Sequence, residues 1–138
     1  LTLIQEGEAW YIGDKTIEAD KKQLETMIDA IKSIQILNRV SSNEDYTRYG
    51  LDEAKAIKIE AMLDGNVLRT LYLGNNAVSV QHSYIRIDND KDIYLASGSL
   101  GTLFNKQSDD LKAPEPEPEE EAETLEDSKE QTEKQTTE

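Results

Sequence analysis

Residues 56–73 read AIKIEAMLDGNVLRTLYL, and the Asp64-Gly65 pair near their centre decides the fold. Asp-Gly between two apolar runs is the strongest short hairpin signal, because a two-residue type I′ turn needs positive φ at both central positions. Such a turn sets Leu63 opposite Asn66, Ala61 opposite Leu68 and Ile59 opposite Thr70. It also places Glu60 opposite Arg69, a favourable cross-strand charge pair. In that register Ile57, Ile59, Ala61, Leu63 and Leu68 line one face, and that face needs a second layer to cover it.

A helix over residues 20–37 supplies the layer. Leu24, Met27, Ile28, Ile31 and Ile34 fall at offsets 0, 3, 4, 7 and 10, one apolar stripe at helical period. Asp20 and Gln23 fit a capping pair at its start, and Asn38 and Arg39 suit its far end. Two more hairpins flank this centre. Residues 2–5 and 9–12 are short apolar runs joined through Glu6-Gly7-Glu8. Residues 83–87 and 92–96 are joined by polar residues, with Ile85 and Ile87 answering Ile93 and Leu95. Between them, residues 41–50 predict a single helical turn carrying Tyr46 and Tyr49, closed by a left-handed Gly50 and capped apolarly by Leu51. Ser97 or Ser99 caps a last short helix through Phe104, after which order fades. The expected fold is therefore α+β: an antiparallel sheet of about six strands in hairpins, one main amphipathic helix packed on it and a short C-terminal helix.

Composition bounds the rest. The chain has 138 residues, 29 acidic against 15 basic, and a net charge of −14. That balance opposes nucleic-acid binding, which needs a basic surface to neutralise phosphates. It equally opposes docking on an anionic lipid surface. With no cysteine there is no disulfide framework, thiolate metal site or cysteine nucleophile. No apolar run approaches the ~18 residues of a membrane span. From Ala113 onward the composition changes abruptly. The last 26 residues hold ten Glu, one Asp and two Lys, a net of −9, and Leu125 is their only large aliphatic residue. Such a segment offers too little apolar surface to offset its ordering entropy, so residues 1–112 are expected to form one globular domain and 113–138 an acidic disordered tail. Leu1 in place of Met leads us to expect a piece of a longer chain, with any signal or anchor upstream.

No catalytic constellation assembles from the residues. Asp88, Asp90 and Asp92 open like a calcium loop, but Ile93 stands where the sharp turn needs Gly, and Ser99 where a bidentate Glu belongs. His82 is the only histidine and has neither a G-x-S-x-G elbow nor cysteine co-ligands. Gly98-Ser99-Leu100-Gly101 lacks the Lys and glycine spacing of a phosphate loop. The expectation is a non-enzyme with no cofactor and no metal. Trp10, Tyr11, Tyr46, Tyr49, Tyr72 and Tyr84 are the candidate aromatic surface, and the turn of Tyr46, Tyr49 and Leu51 is the candidate partner-binding site.

The order of motifs carries a family likeness. It runs Trp10-Tyr11-Ile12, Glu18-Ala19-Asp20, the helix over 24–34, Tyr49-Gly50-Leu51-Asp52, Leu71-Tyr72-Leu73-Gly74, Tyr84-Ile85-Arg86 and Ile93-Tyr94-Leu95. This resembles the bacterial domain-of-unknown-function family 4340 over residues 1–105. That family's pattern is a W-x-I strand, an "AD" helix start, a Y-G-L-D element, an L-x-I-G strand end and a final Y…Y hairpin. The chain departs from it at Ala54-Lys55, where members commonly carry Pro, and the anchor that the resemblance implies would lie upstream of Leu1. The family has no established catalytic residues, so none carries over. The resemblance implies a membrane-anchored protein with its domain on the extracytoplasmic face of the bacterial membrane, associated with ABC-type transport components. The expected function is thus a non-enzymatic interaction or accessory domain of such a transport or envelope complex. Its partner would be a protein, its contact with membrane only through the anchor. A small-ligand or glycan-binding domain of the envelope is the alternative.

Overall fold

The computed structural model describes residues 1–115. In chain order these form β1 (Leu3–Glu6), β2 (Ala9–Ile12), β3 (Ile17–Glu18), α1 (Lys21–Lys32), β4 (Gln35–Ser41), α2 (Tyr46–Tyr49), β5 (Ile57–Leu63), β6 (Asn66–Asn76), β7 (His82–Ile87), β8 (Ile93–Ser97) and α3 (Leu100–Phe104), then a 3-10 turn over Asp109–Leu111. The strands make two antiparallel sheets, β1-β2-β3 and β4-β8-β7-β6-β5. The α+β class and antiparallel pairing are as expected. The single sheet of about six strands is corrected to eight strands in two sheets, and the two helices to three. The acidic tail expected over 113–138 lies, from residue 116, outside the described residues.

Helix α1 is the layer both sheets share. Leu24 packs with Ile12, Ala19 and Leu111 under the small sheet. Ala30 and Ile31 pack on Leu71, Leu73, Ile85, Ala96, Leu100 and Phe104 under the large one, and Met27 touches both clusters. The helix ends five residues before its expected limit. At Ser33 both the backbone N–H and the hydroxyl donate to Asp29 O. Ile34 continues the 3.6 period by position but not by conformation. Asn38 and Arg39, expected at a helix end, sit mid-strand in β4 opposite Leu95 and Tyr94.

At the start of α1, the Asp20 carboxylate accepts from the backbone N–H of Lys22 (2.9 Å) and of Gln23 (3.2 Å). The reciprocal arm of a capping box is missing, because the Asp20 N–H donates instead to Leu111 O at 2.8 Å. Gln23 Nε2 donates to Asp20 Oδ2 and to Asp110 O. These bonds, the Gln23 side chain first, hold the Asp20 carboxyl below its usual range. Asp20→Ala should lower unfolding free energy by about 1 kcal/mol at pH 7. A depressed carboxyl contributes fully above its unfolded value near ~4 and less as pH falls through the folded one. The wild-type advantage should therefore shrink on acidification from pH 7 to about 3. Urea melts of both chains at the two pH values check this.

The central hairpin turns where expected, with φ of 50° at Asp64 and 78° at Gly65. Leu63 faces Asn66 and Met62 faces Val67, but a bulge then leaves Leu68 without a partner. Beyond it Ala61 pairs with Arg69, Glu60 with Thr70 and Ile59 with Leu71. The expected Glu60–Arg69 pair is thereby undone. Arg69 Nη1 donates to Ile31 O at 3.1 Å near the C-terminal end of α1, and Glu60 pairs with Lys58 at 2.7 Å. The physical reason lies at Leu71 and Leu73, each 1% exposed. A one-residue slip moves every side chain to the other face. The bulge supplies that slip, bringing both leucines under the helix and leaving Leu63 and Leu68, expected to face it, exposed at the tip.

Two further expectations are corrected. In the last hairpin Ile85 pairs with Tyr94 and Tyr84 with Leu95, so Ile93 and Leu95 share the face opposite Ile85. Ser99 precedes α3 with φ 53° and no side-chain cap bond. Nor does order fade after Phe104. Leu111 is fully buried, Lys112 bridges Ala19, and the Ala113 N–H donates to Glu18 O.

Candidate functional site

The helix covers one face of the large sheet. On the other face lies the α2 turn, built as its sequence predicts. Gly50 closes it at φ 68°, and the Leu51 N–H reaches back to Tyr46 O at 2.8 Å. This six-to-one bond, with an apolar residue just past a left-handed glycine, is a Schellman cap. Leu51 itself is 1% exposed. It anchors the turn to the sheet, so its expected place in a partner-binding surface is corrected to an internal one. Tyr46 and Tyr49 are half-buried, while Thr47 and Arg48 between them are exposed.

Beneath the turn, cross-strand neighbours Tyr72 and Arg86 lie side by side on β6 and β7. The Arg86 guanidinium sits 3.8 Å from the Tyr72 ring centroid and 4.8 Å from that of Tyr46. It thus contacts one ring from the sheet and one from the turn, and both attract a cation by their quadrupoles. Tyr49 meets Tyr84 edge-on at 4.8 Å and 63°. The Tyr46 hydroxyl donates to Lys91 O at 3.3 Å, and Lys91 Nζ reaches Glu44 at 2.7 Å, closing the turn's entrance. Among the described residues two buried side-chain polar atoms have no hydrogen-bond partner, Arg86 Nε and Asp52 Oδ2. Chemically the cluster offers a guanidinium held between aromatic rings.

Four of the six candidate aromatics are therefore brought together. Trp10 and Tyr11 are not among them, since both belong to β2 in the small sheet. Arg86 was not foreseeable as a site residue without the β6–β7 register. The three loop aspartates are committed internally. Asp88 Oδ1 accepts from the Thr70 N–H (2.7 Å), Asp90 from the Tyr94 hydroxyl (2.7 Å), and Asp92 pairs with Arg39 (3.0 Å). The Tyr94 hydroxyl holds the Asp90 carboxyl below its usual range, and Asp90 in return pushes the Tyr94 phenol up. Among the described residues no three His, Cys, Asp or Glu side chains gather as a metal group. His82 opens β7, opposite Ser97. No helix among the described residues is long and apolar enough to cross a membrane.

Shallow depressions mark the surface elsewhere. One, of about 500 Å³, lies beside Trp10, Lys21, Glu25 and Lys32. Another, of about 490 Å³, lies beside Gly74, Asn76, Gly101 and Lys106. Neither includes the tyrosine–arginine cluster.

The family model described as Domain of unknown function (DUF4340) matches residues 10–138. No curated protein and no solved structure gives a significant match.

Proposed function

The chain belongs to the DUF4340 family, and on that premise we propose that it is a non-enzymatic protein-interaction domain, carried on the extracytoplasmic face by an upstream anchor and serving an ABC-type transport or envelope complex. The observation that supports an interaction role is the β5–β6 tip. There the bulge leaves Met62 (59%), Leu63 (59%), Val67 (50%) and Leu68 (64%) exposed side by side in sequence and register. Clustered exposed apolar side chains of this kind mark interaction sites. The α2 turn, with Tyr46 and Tyr49 at its flanks, is a second proposed contact, set against the Gly74 end of β6.

Purification of the full-length, anchored protein from its native membrane tests the reading. Transporter subunits should co-purify in stable ratio. Met62→Ser with Leu68→Ser should release them, and Tyr46→Ala with Tyr49→Ala should weaken the capture. A protein that comes out alone overturns the transport association. Partners that stay through the tyrosine changes remove the turn from the contact.

A second reading, binding of a small ligand or envelope glycan, draws on the Arg86 guanidinium and its unpartnered Nε against the Tyr46 and Tyr72 rings. A broad ligand screen without a thermal shift would end it.

A further inference from the structure

The large sheet has two edges, and they differ. β4 is broken by register shifts at Ile36/Asn38 and Arg39/Ser41. β5 is regular against β6 from Ile57 to Ala61 and, among the described residues, borders no other strand on its outer side. An open edge of this kind presents alternate N–H and C=O groups to any chain that pairs with it. Proteins commonly guard such edges with proline, bulges or charge. The stretch 57–61 has no proline, and its only charges are Lys58 and Glu60, one of each sign, both exposed.

We propose that the β5 edge is a self-complementary interface at which a second copy of this chain adds antiparallel, joining two five-stranded sheets about a two-fold axis at Ile59. A two-fold contact repeats one patch on both copies. The axis must run perpendicular to the sheets if both helix-covered faces are to stay on one side, so residues of like parity pair. Three registers keep most of β5 paired. Centring on Glu60 sets that residue against its own copy, a like-charge clash. Centring on Ala61 sets Glu60 against Met62, and Lys58 falls opposite Asp64 in the turn, beyond β5. Centring on Ile59 sets Lys58 of each copy opposite Glu60 of the other, Ile57 opposite Ala61, and Ile59 opposite itself. Only this register satisfies both charges, and it does so twice. The Lys58–Glu60 pair within each strand, at 2.7 Å, shows the two groups already on one face and in reach of one another. The interface does not rest on the transport reading: loss of co-purifying subunits leaves it standing, and a monomeric chain leaves the tip contact standing.

Sedimentation equilibrium of the full chain tests it. A monomer–dimer equilibrium is expected. Lys58→Glu and Glu60→Lys should each weaken association about 10-fold, since each converts two attractive cross-strand pairs into repulsive ones. The Lys58→Glu/Glu60→Lys double exchange should restore it to within about threefold. Thermal melts confirm that each variant is folded. A chain monomeric up to about 1 mM overturns the proposal. So does a dimer indifferent to Lys58→Glu, or one that the double exchange fails to restore.

Discussion

Gly74→Ala is expected to destabilise the protein by about 3 kcal/mol, read as a shift in urea midpoint at constant slope. Alanine in place of glycine within a strand normally stabilises by roughly 0.5–1 kcal/mol, so propensity alone gives the opposite sign. The difference is the α2 turn. A β-carbon on Gly74 would lie 2.3 Å from Tyr49 O and 2.9 Å from Leu51 Cγ. The carbonyl is backbone and cannot rotate away alone. The turn must lift as a unit, because Gly50 fixes its exit and would itself meet the Asn75 side chain if substituted. Lifting brings the buried Leu51 toward water, worth roughly 1.5–3 kcal/mol for a side chain of its size. It also draws Tyr46 off Arg86. The near-ultraviolet circular dichroism of the tyrosines should therefore weaken, while Trp10 in the small sheet keeps its fluorescence. A Gly74→Ala chain as stable as wild type would mean that the turn does not depend on this approach.

That dependence explains which features the sequence makes legible. Turns written in local chemistry are readable: Asp64-Gly65 in the hairpin, Gly50 with Leu51 at the end of α2, Asp20 before α1. Their conformations are dictated by φ and by side chains within a few residues. Features decided by burial at long range are not. The bulge at Leu68 answers a demand from Leu71 and Leu73, whose place under α1 no nearest-neighbour pairing rule contains. Ile34 sits on the helical stripe by count, yet the chain leaves the helix at Ser33 to give β8 its second neighbour. The Tyr46 and Tyr49 turn is legible, but its underside is not. Arg86 enters the site only through the alignment of β7 with β6, and Leu51 becomes an anchor only because a sheet lies below it.

The C-terminal turn carries the other large effect. Leu111→Ala should cost about 3 kcal/mol, within the usual 2–5 for a fully buried leucine. Leu111 packs with Ile12, Ala19 and Leu24, and Leu3 and Trp10 close over that cluster. The small sheet has little else to hold it, for β3 is two residues long and β1 and β2 four each. A few short strands need an apolar layer to be stable at all. Residues 109–113 contribute backbone as well as side chain, since Leu111 O accepts from Asp20 and the Ala113 N–H donates to Glu18 O. Ending the chain at Asn105 should therefore do more than the single substitution. It removes the apolar plug and leaves the Asp20 N–H without a partner at the start of α1, so the small sheet should melt ahead of the large one. Trp10 fluorescence reports the small sheet and tyrosine dichroism the large, and the two transitions should separate. If Trp10 in the Leu111→Ala chain melts with the wild-type midpoint, the small sheet is held by β1–β2 pairing and α1 alone, and the segment after Phe104 is no part of its core.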